Sequence, residues 1–338
     1  MYDRSPYKLE SAYNLRRKVV SIQANKEAPI YRWFKYKEGF SSALVKYFLS
    51  EYSIKPGKIL DPFAGAGTAL FAGQELGWES SGIELLPVGA FFMQSRGAFN
   101  NIDSEKLKGI IKNLWNDLAS MDEYKIILNH ISMIKDAFPE ETEIFLNKYL
   151  TYCNNLKDSK IQTILKFAAF SVLEEISYTR KDGQFLRWDY RSKRDLAGKP
   201  FDKGKILKFE EAVRNKLNQI VNDLSPITSS SLFDQFENKP KVKYPVTVIE
   251  GTCLEELPKQ KSETFDFIIT SPPYCNRYDY TRTYALELVY LGYNNDQVRN
   301  LRQTMLSCTV ENKGKIDNLK LFYESLGKKE WFDKVLSV

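Results

Sequence analysis

The segment Lys58-Ile59-Leu60-Asp61-Pro62-Phe63-Ala64-Gly65-Ala66-Gly67-Thr68-Ala69-Leu70 leaves few folds open. It reads as a short apolar strand, a compact glycine turn and the start of an apolar helix. Gly65 and Gly67 permit backbone angles, or the approach of a ligand, that a side chain would block. Successive backbone N–H groups and the first helical turn offer donors to an anionic or polar group. Asp61, at the carboxyl end of the strand, is placed to accept hydrogen bonds or meet a positive charge. A second strand, within Trp78–Leu85, ends in Glu84, about twenty residues beyond the turn, where a doubly wound nucleotide-binding unit puts the acid that accepts from both ribose hydroxyls. The alternative for Glu84 is a solvated acid at a strand end.

Length and charge bound the rest. A chain of 338 residues has room for one large α/β domain with a sizeable insertion, or for two domains. A net charge of +6 permits contact with a polyanion without demanding it. His130 is the single histidine, and Cys153, Cys253, Cys275 and Cys308 are dispersed, which argues against a zinc site and against histidine-based triads; no metal is expected. The amino-terminal residues lack a signal peptide's apolar run, and no stretch reaches the ~18 apolar residues that span a bilayer. A reducing cytoplasm is the expected compartment.

Along the chain, Tyr31-Arg32-Trp33-Phe34-Lys35-Tyr36-Lys37 reads as a strand, as ordinary packing, or as a surface that stacks on a ligand or nucleic acid. Phe40 to Leu49 reads as a helix capped by Ser41 or Ser42. Residues 103–240 leave the strand–helix alternation and are mostly helical, over Leu107–Ala119, Glu141–Asn155, Ile161–Ile176 and Phe209–Leu224. Basic residues concentrate from Arg180 through Lys208, interleaved with aromatics, as in a surface that clamps a nucleic-acid backbone and stacks on bases; a solvated connector is the alternative. Ser225–Ser231 reads as a linker. The alternating frame resumes with a strand at Val246–Cys253 and another at Thr264–Ser271. That last strand must stop where Pro272 and Pro273 remove the ladder donors, leaving Ser271, the Pro272 carbonyl and Tyr274 on a rigid loop.

The pair Asp61-Pro62-Phe63-Ala64-Gly65-Ala66-Gly67-Thr68 and Thr270-Ser271-Pro272-Pro273-Tyr274 resembles the signature of the S-adenosylmethionine-dependent DNA amino-methyltransferases, which methylate exocyclic amines of cytosine (N4) or adenine (N6). The match covers roughly residues 31–100 and 244–292. The resemblance implies a Rossmann-like α/β sheet, S-adenosyl-L-methionine as cofactor and double-stranded DNA as substrate, as in restriction–modification systems. It implies cofactor contacts from Phe40, Ser41, Asp61, Phe63, Gly65, Gly67, Thr68, Glu84, Leu85 and Cys253. It implies a catalytic loop of Ser271, Pro272, Pro273 and Tyr274, and a serine at the head of that loop favours cytosine N4. The division it suggests is a cofactor-binding half over 31–102, a helical insertion with a target-recognition role over 103–240, and a catalytic half over 241–338. Arg180, Lys181, Arg187, Trp188, Arg191, Arg277, Tyr278 and Arg282 are the expected nucleic-acid contacts.

The chemistry fits these residues independently. An exocyclic amine delocalises its lone pair into the ring, so attack on a methyl sulfonium needs acceptors aimed at the amino protons. Ser271 Oγ and the Pro272 carbonyl are the candidates, with Tyr274 stacking on the extruded base. Cys275 follows Tyr274 and not a proline, so the Pro-Cys nucleophile of cytosine-C5 chemistry is absent; Cys253 and Cys275 read as small core or pocket-lining residues.

One departure concerns the sheet. The family implies seven strands, and four are legible here, so the sheet is expected to be incomplete at the C-terminus. Either the chain is truncated, or a second polypeptide or self-association covers the sheet edge, or the inserted block covers it. The competing functions are adenine-N6 or RNA-base methylation, and a non-catalytic half subunit that needs a partner chain.

Overall fold

In the computed structural model, residues 15–52, 55–99, 102, 104–128, 131–183, 185–194, 200–224, 244–274, 278–306 and 313–336 are described. The expected linker at Ser225–Ser231 lies outside them. Six strands occur among these residues: β1 (Lys58–Asp61), β2 (Glu79–Glu84), β3 (Thr179–Asp182), β4 (Phe185–Trp188), β5 (Val246–Glu250) and β6 (Phe267–Ile268). Contacts divide the chain into two units, the first comprising residues 1–84, 89–97 and 218–271 and the second residues 85–88, 98–217 and 272–338.

The first unit holds a parallel sheet in the order β5-β2-β1-β6. The α/β class with four legible sheet strands is therefore observed. Ile59 and Leu60 are both buried although they point to opposite faces, as a sheet covered on both sides requires. Beneath one face Val45, Leu49, Ile59, Ala69, Ala72 and Trp78 pack with Phe40, Phe267 and Ile269. A second cluster joins Tyr31, Ala64, Leu70, Phe71 and Met93. The helix Ser42–Glu51 begins where Ser41 accepts the Leu44 N–H at 3.1 Å. The helix Thr68–Glu75 follows Gly67, and Gly77 at φ +89° turns the chain into β2. β2 and β5 are neighbours in register from Ser80–Val246 to Glu84–Glu250, although residues 85–245 separate them.

The aromatic stretch after Pro29 forms no strand. Tyr31–Trp33 is a 3-10 turn, and Tyr31, Trp33, Phe34 and Tyr36 are all buried. Ordinary packing is the outcome there. Asp223 fixes the stretch by accepting from the Ile30 N–H, the Trp33 indole N–H at 2.8 Å and the Arg32 guanidinium.

The second unit is mostly helical, with Ser104–Ala119, Glu140–Asn155, Ser159–Phe170 and Leu173–Ile176 where the periodicity predicts helix. The third of those predicted helices breaks at Ser171-Val172. Asn312–Lys315 reads as a linker in the sequence, yet Lys313 opens a helix that runs to Ser325. The basic stretch after Ile176, read from the sequence as a surface or a connector without regular structure assigned, opens with an antiparallel hairpin of β3 and β4. No helix of the described residues is long and apolar enough to cross a membrane.

Candidate active site

β1 delivers Asp61 to the carboxyl edge of the sheet with only 1% of its surface exposed. Its Oδ1 accepts the Phe63 N–H at 3.1 Å. Burial pushes the Asp61 carboxyl up to about 6, against the lowering influence of the Thr270 hydroxyl and the Phe63 amide. Thr270 comes from the neighbouring parallel strand, because the Ile269 N–H continues the β1–β6 ladder to the Leu60 carbonyl at 3.2 Å. Asp61 Oδ2 and Thr270 Oγ1 are both buried, and neither reaches hydrogen-bonding geometry with any described residue. Leaving such a group unsatisfied costs about 1–3 kcal/mol. The Thr270 hydroxyl lies close enough to lower the Asp61 carboxyl, so the two groups can pair with each other or turn to a polar or cationic ligand group.

The glycine turn is held from β2. Ala64 N–H donates to the Ile83 carbonyl at 2.9 Å, and Gly65 N–H donates to Glu84 Oε2 at 2.6 Å. The Glu84 carbonyl in turn accepts from Gly251 N–H after β5 at 3.0 Å, which ties three strand ends together. Gly65 and Gly67 lie at φ +54° and +68°, in the left-handed region where a side chain is strained. Gly89 approaches so closely that a Cβ there would collide with the Gly65 carbonyl oxygen, and the Tyr36 ring lies against the Gly65 Cα. The positions where side chains would stand at Gly65, Gly67 and Gly89 are thus already filled by neighbours.

The remaining expected cofactor contacts have assorted surroundings. Ser41 is fully buried, caps its helix and donates to the Val19 carbonyl. Phe40 packs into the core beneath the sheet. Phe63 and Leu85 are half-buried, and Thr68 is the buried first residue of its helix. Cys253 opens a short helix, half-buried, with its thiol pushed up by burial. Ser271 is the last residue of the first unit, and Pro272, Pro273 and Tyr274 open the second without regular structure. Tyr274 is 50% exposed. Cys275 and Arg277 lie outside the described residues.

The expected nucleic-acid contacts sort into two kinds. Arg180, Arg187 and Arg282 are exposed, the last beside Asp279 at 3.2 Å. Trp188 is half-buried beneath the Arg194 guanidinium, 3.7 Å from its ring. Arg191 forms a two-pronged pair with Asp189, which holds that carboxyl far below its usual range. Lys181 is only 2% exposed and meets Glu287 at 2.5 Å, while Tyr278 is buried with its hydroxyl donating to the Gly183 carbonyl at 3.1 Å. These two side chains are turned inward. Thr270 and Tyr36, which the sequence places in the signature and in the aromatic stretch without a role of their own, lie with these residues, as does Gly89, which the sequence does not mark. Only Thr270 carries a local signal, standing directly before Ser271.

No family model matches the chain, and no solved structure matches it. Among curated proteins it is 43% identical over 331 residues to the type II methyltransferase M.AvaI of Nostoc sp., covering 96% of this chain and 67% of that protein. It is 42% identical over 333 residues to the type II methyltransferase M.BsoBI of Geobacillus stearothermophilus, covering 94% and 64%. A more distant similarity, 26% over 264 residues, is to the type II methyltransferase M.MvaI of Kocuria varians, covering 75% and 55%. The chain thus spans about two thirds of the length of the first two.

Proposed function

The chain belongs to the type II methyltransferases, S-adenosylmethionine-dependent DNA amino-methyltransferases, and from that premise we propose that it methylates an exocyclic base amine of double-stranded DNA at cytosine N4. The observation that carries this reading is the buried pair Asp61 Oδ2 and Thr270 Oγ1 at the carboxyl ends of adjoining parallel strands. One of those strands leads into the glycine turn and the other into Ser271. Open parallel sheets bind ligands at that edge.

Asp61, the Gly65–Gly67 turn and Glu84 are the residues that would hold the cofactor. Ionised above about 6, Asp61 meets a cationic or donor group, and the Thr270 hydroxyl takes a second bond. When bound, S-adenosylmethionine supplies a methyl group activated by a positively charged sulfur. The target base leaves the duplex, and the Tyr274 ring stacks on it. Ser271 Oγ and the Pro272 carbonyl accept from the two amino hydrogens, which favours a tetrahedral nitrogen with its lone pair localised. With its lone pair localised, the amine nitrogen would be the group that takes the methyl, and Ser271 would pass the displaced amino proton on to solvent. Serine rather than an acid at the head of Pro-Pro-Tyr supports cytosine as the base.

The test is to incubate the chain with radiolabelled S-adenosylmethionine and mixed-sequence duplex DNA, then separate the digested nucleosides. Label in N4-methylcytosine is expected. Label in N6-methyladenine overturns the choice of base, and no label despite bound cofactor overturns transfer altogether. Ser271→Ala is expected to lose about 100-fold or more in turnover, with cofactor affinity within about twofold of the parent.

A further inference from the structure

The positive charge of this chain is concentrated in one place. Between Arg180 and Lys208 there are ten Lys and Arg against four Asp, so this stretch accounts for the whole net charge of +6. The hairpin of β3 and β4 opens it. Its register sets Arg180 opposite Arg187 and Asp182 opposite Phe185. Thr179, Lys181 and Leu186 are buried behind the hairpin, and Arg180, Phe185 and Arg187 are exposed in front.

Like charges directly opposite each other on a two-stranded ribbon are destabilising. The surroundings relieve this pair little. The Phe201 ring lies 5.4 Å from the Arg180 guanidinium and 4.2 Å from that of Arg187, which orients both groups and brings no negative charge. Asp182 reaches Arg187 at 3.4 Å with both side chains about half exposed, an arrangement worth roughly 0–1 kcal/mol. Arg180 gives one N–H to the Lys203 carbonyl at 3.2 Å and meets no carboxylate among the described residues. Beside the turn, where Gly183 takes φ +55°, Phe185 stands 54% exposed. A single exposed aromatic needs no explanation. One set beside two opposed arginines, in the most basic stretch of the chain, matches a surface that neutralises phosphates and packs on bases.

We propose that the outward face of this hairpin contacts double-stranded DNA, with Arg180 and Arg187 on backbone phosphates and Phe185 packed against the bases in the groove. The inference rests on the DNA-methylating reading above and names the element that grips the substrate. The hairpin is braced from behind by Lys181 on Glu287 and by Tyr278 on Gly183, both from the segment that follows Ser271-Pro272-Pro273-Tyr274.

The test is a titration of fluorescent duplex DNA with the 338-residue chain at 50–200 mM NaCl, by anisotropy, with cofactor affinity measured in parallel by calorimetry. R180Q/R187Q is expected to lower the slope of log affinity against log salt by about 2. F185A, which removes an apolar contact with base edges, is expected to weaken binding roughly 5- to 20-fold at every salt concentration with the slope unchanged. Cofactor affinity should stay at the parent value in both variants. K108Q/R214Q, a charge-matched change elsewhere, is expected to keep the parent slope. Parent-like slope and affinity in R180Q/R187Q, or parent-like affinity in F185A, overturns the hairpin proposal alone. A parent chain that binds cofactor but no duplex overturns the DNA reading as well, and preference for single-stranded RNA over duplex overturns the choice of nucleic acid.

Discussion

The Gly65 N–H donates to Glu84 Oε2 at 2.6 Å, so the acid that ends β2 fixes the glycine turn that follows β1. Glu84 therefore has a structural duty besides any contact with a ribose. Glu84→Ala is expected to remove the charge-assisted bond, lower stability by about 1.5–3 kcal/mol and weaken cofactor binding. Glu84→Gln keeps an acceptor for Gly65 and should recover most of the stability while binding cofactor less tightly than the parent. Urea unfolding and calorimetry separate the two effects. Unchanged cofactor affinity in both variants would remove Glu84 from the binding site.

Asp61 gives a pH signature. Its carboxyl is raised in the folded chain from the ordinary 3.8 to about 6, so the folded state binds the proton more tightly than the unfolded one. The stabilisation this provides is complete below about 4 and is lost as pH rises through about 6. Above that window the buried carboxylate weighs against folding by about 3 kcal/mol. Asp61→Asn keeps the acceptor for Phe63 N–H and adds a donor for Thr270 Oγ1. The variant is expected to unfold at higher urea than the parent at pH 8 with a much smaller gap at pH 4, and to bind cofactor poorly. An equal gap at both pH values would contradict the raised Asp61.

Two glycines of the helix Pro87–Ala98 offer a matched pair. Gly89→Ala drives a methyl group into the Gly65 carbonyl oxygen and should displace the turn, with at least a tenfold loss of cofactor affinity. Gly97 has nothing within 4 Å of an added Cβ, and Gly97→Ala should gain about 0.5–1 kcal/mol of stability from helix propensity with affinity unchanged. Calorimetric titration of both variants reads the difference, and equal affinities would show that the turn tolerates displacement.

Lys181 and Glu287 form an ion pair with each side chain only 2% exposed. Lys181→Met leaves Glu287 buried without its partner and should cost about 3–5 kcal/mol. Burial already raises the Glu287 carboxyl above its ordinary range, and losing Lys181 raises it further. The folded variant then holds the extra proton, so its deficit should be smaller at pH 5 than at pH 8. Lys181→Met/Glu287→Leu should return close to the parent stability, as urea titrations would reveal.

The parts legible in the sequence were those whose reason is local. Gly65 and Gly67 announce positive φ and Ser41 announces a helix start, whereas β6 ends at Ile268, before the prolines that were expected to stop it at Ser271. The helix Phe209–Leu224 follows from its apolar spacing alone. What stayed hidden depends on partners far along the chain. Tyr31, Trp33, Phe34 and Tyr36 are buried, and Asp223 draws Arg32 and Trp33 inward. The hairpin was masked because Lys181, a charged residue, occupies an inward position. That choice makes sense only with Glu287 facing it, and the alternation that marks a strand is blurred when both faces carry charge. Gly89 had no signal at all, since its neighbour across the site is a backbone oxygen.

The pairing of β2 with β5 across residues 85–245 has a consequence for how such enzymes diversify. Closing an excursion of that size costs only slightly more than closing one half as long, about 0.6 kcal/mol per doubling. The five-residue register holds the return point, and the Asp223 clasp anchors the excursion's far end to residues 30–33. The span between the helix Pro87–Ala98, which carries Gly89 against the turn, and Asp223 can therefore change in length at little cost to the pairing of β2 with β5.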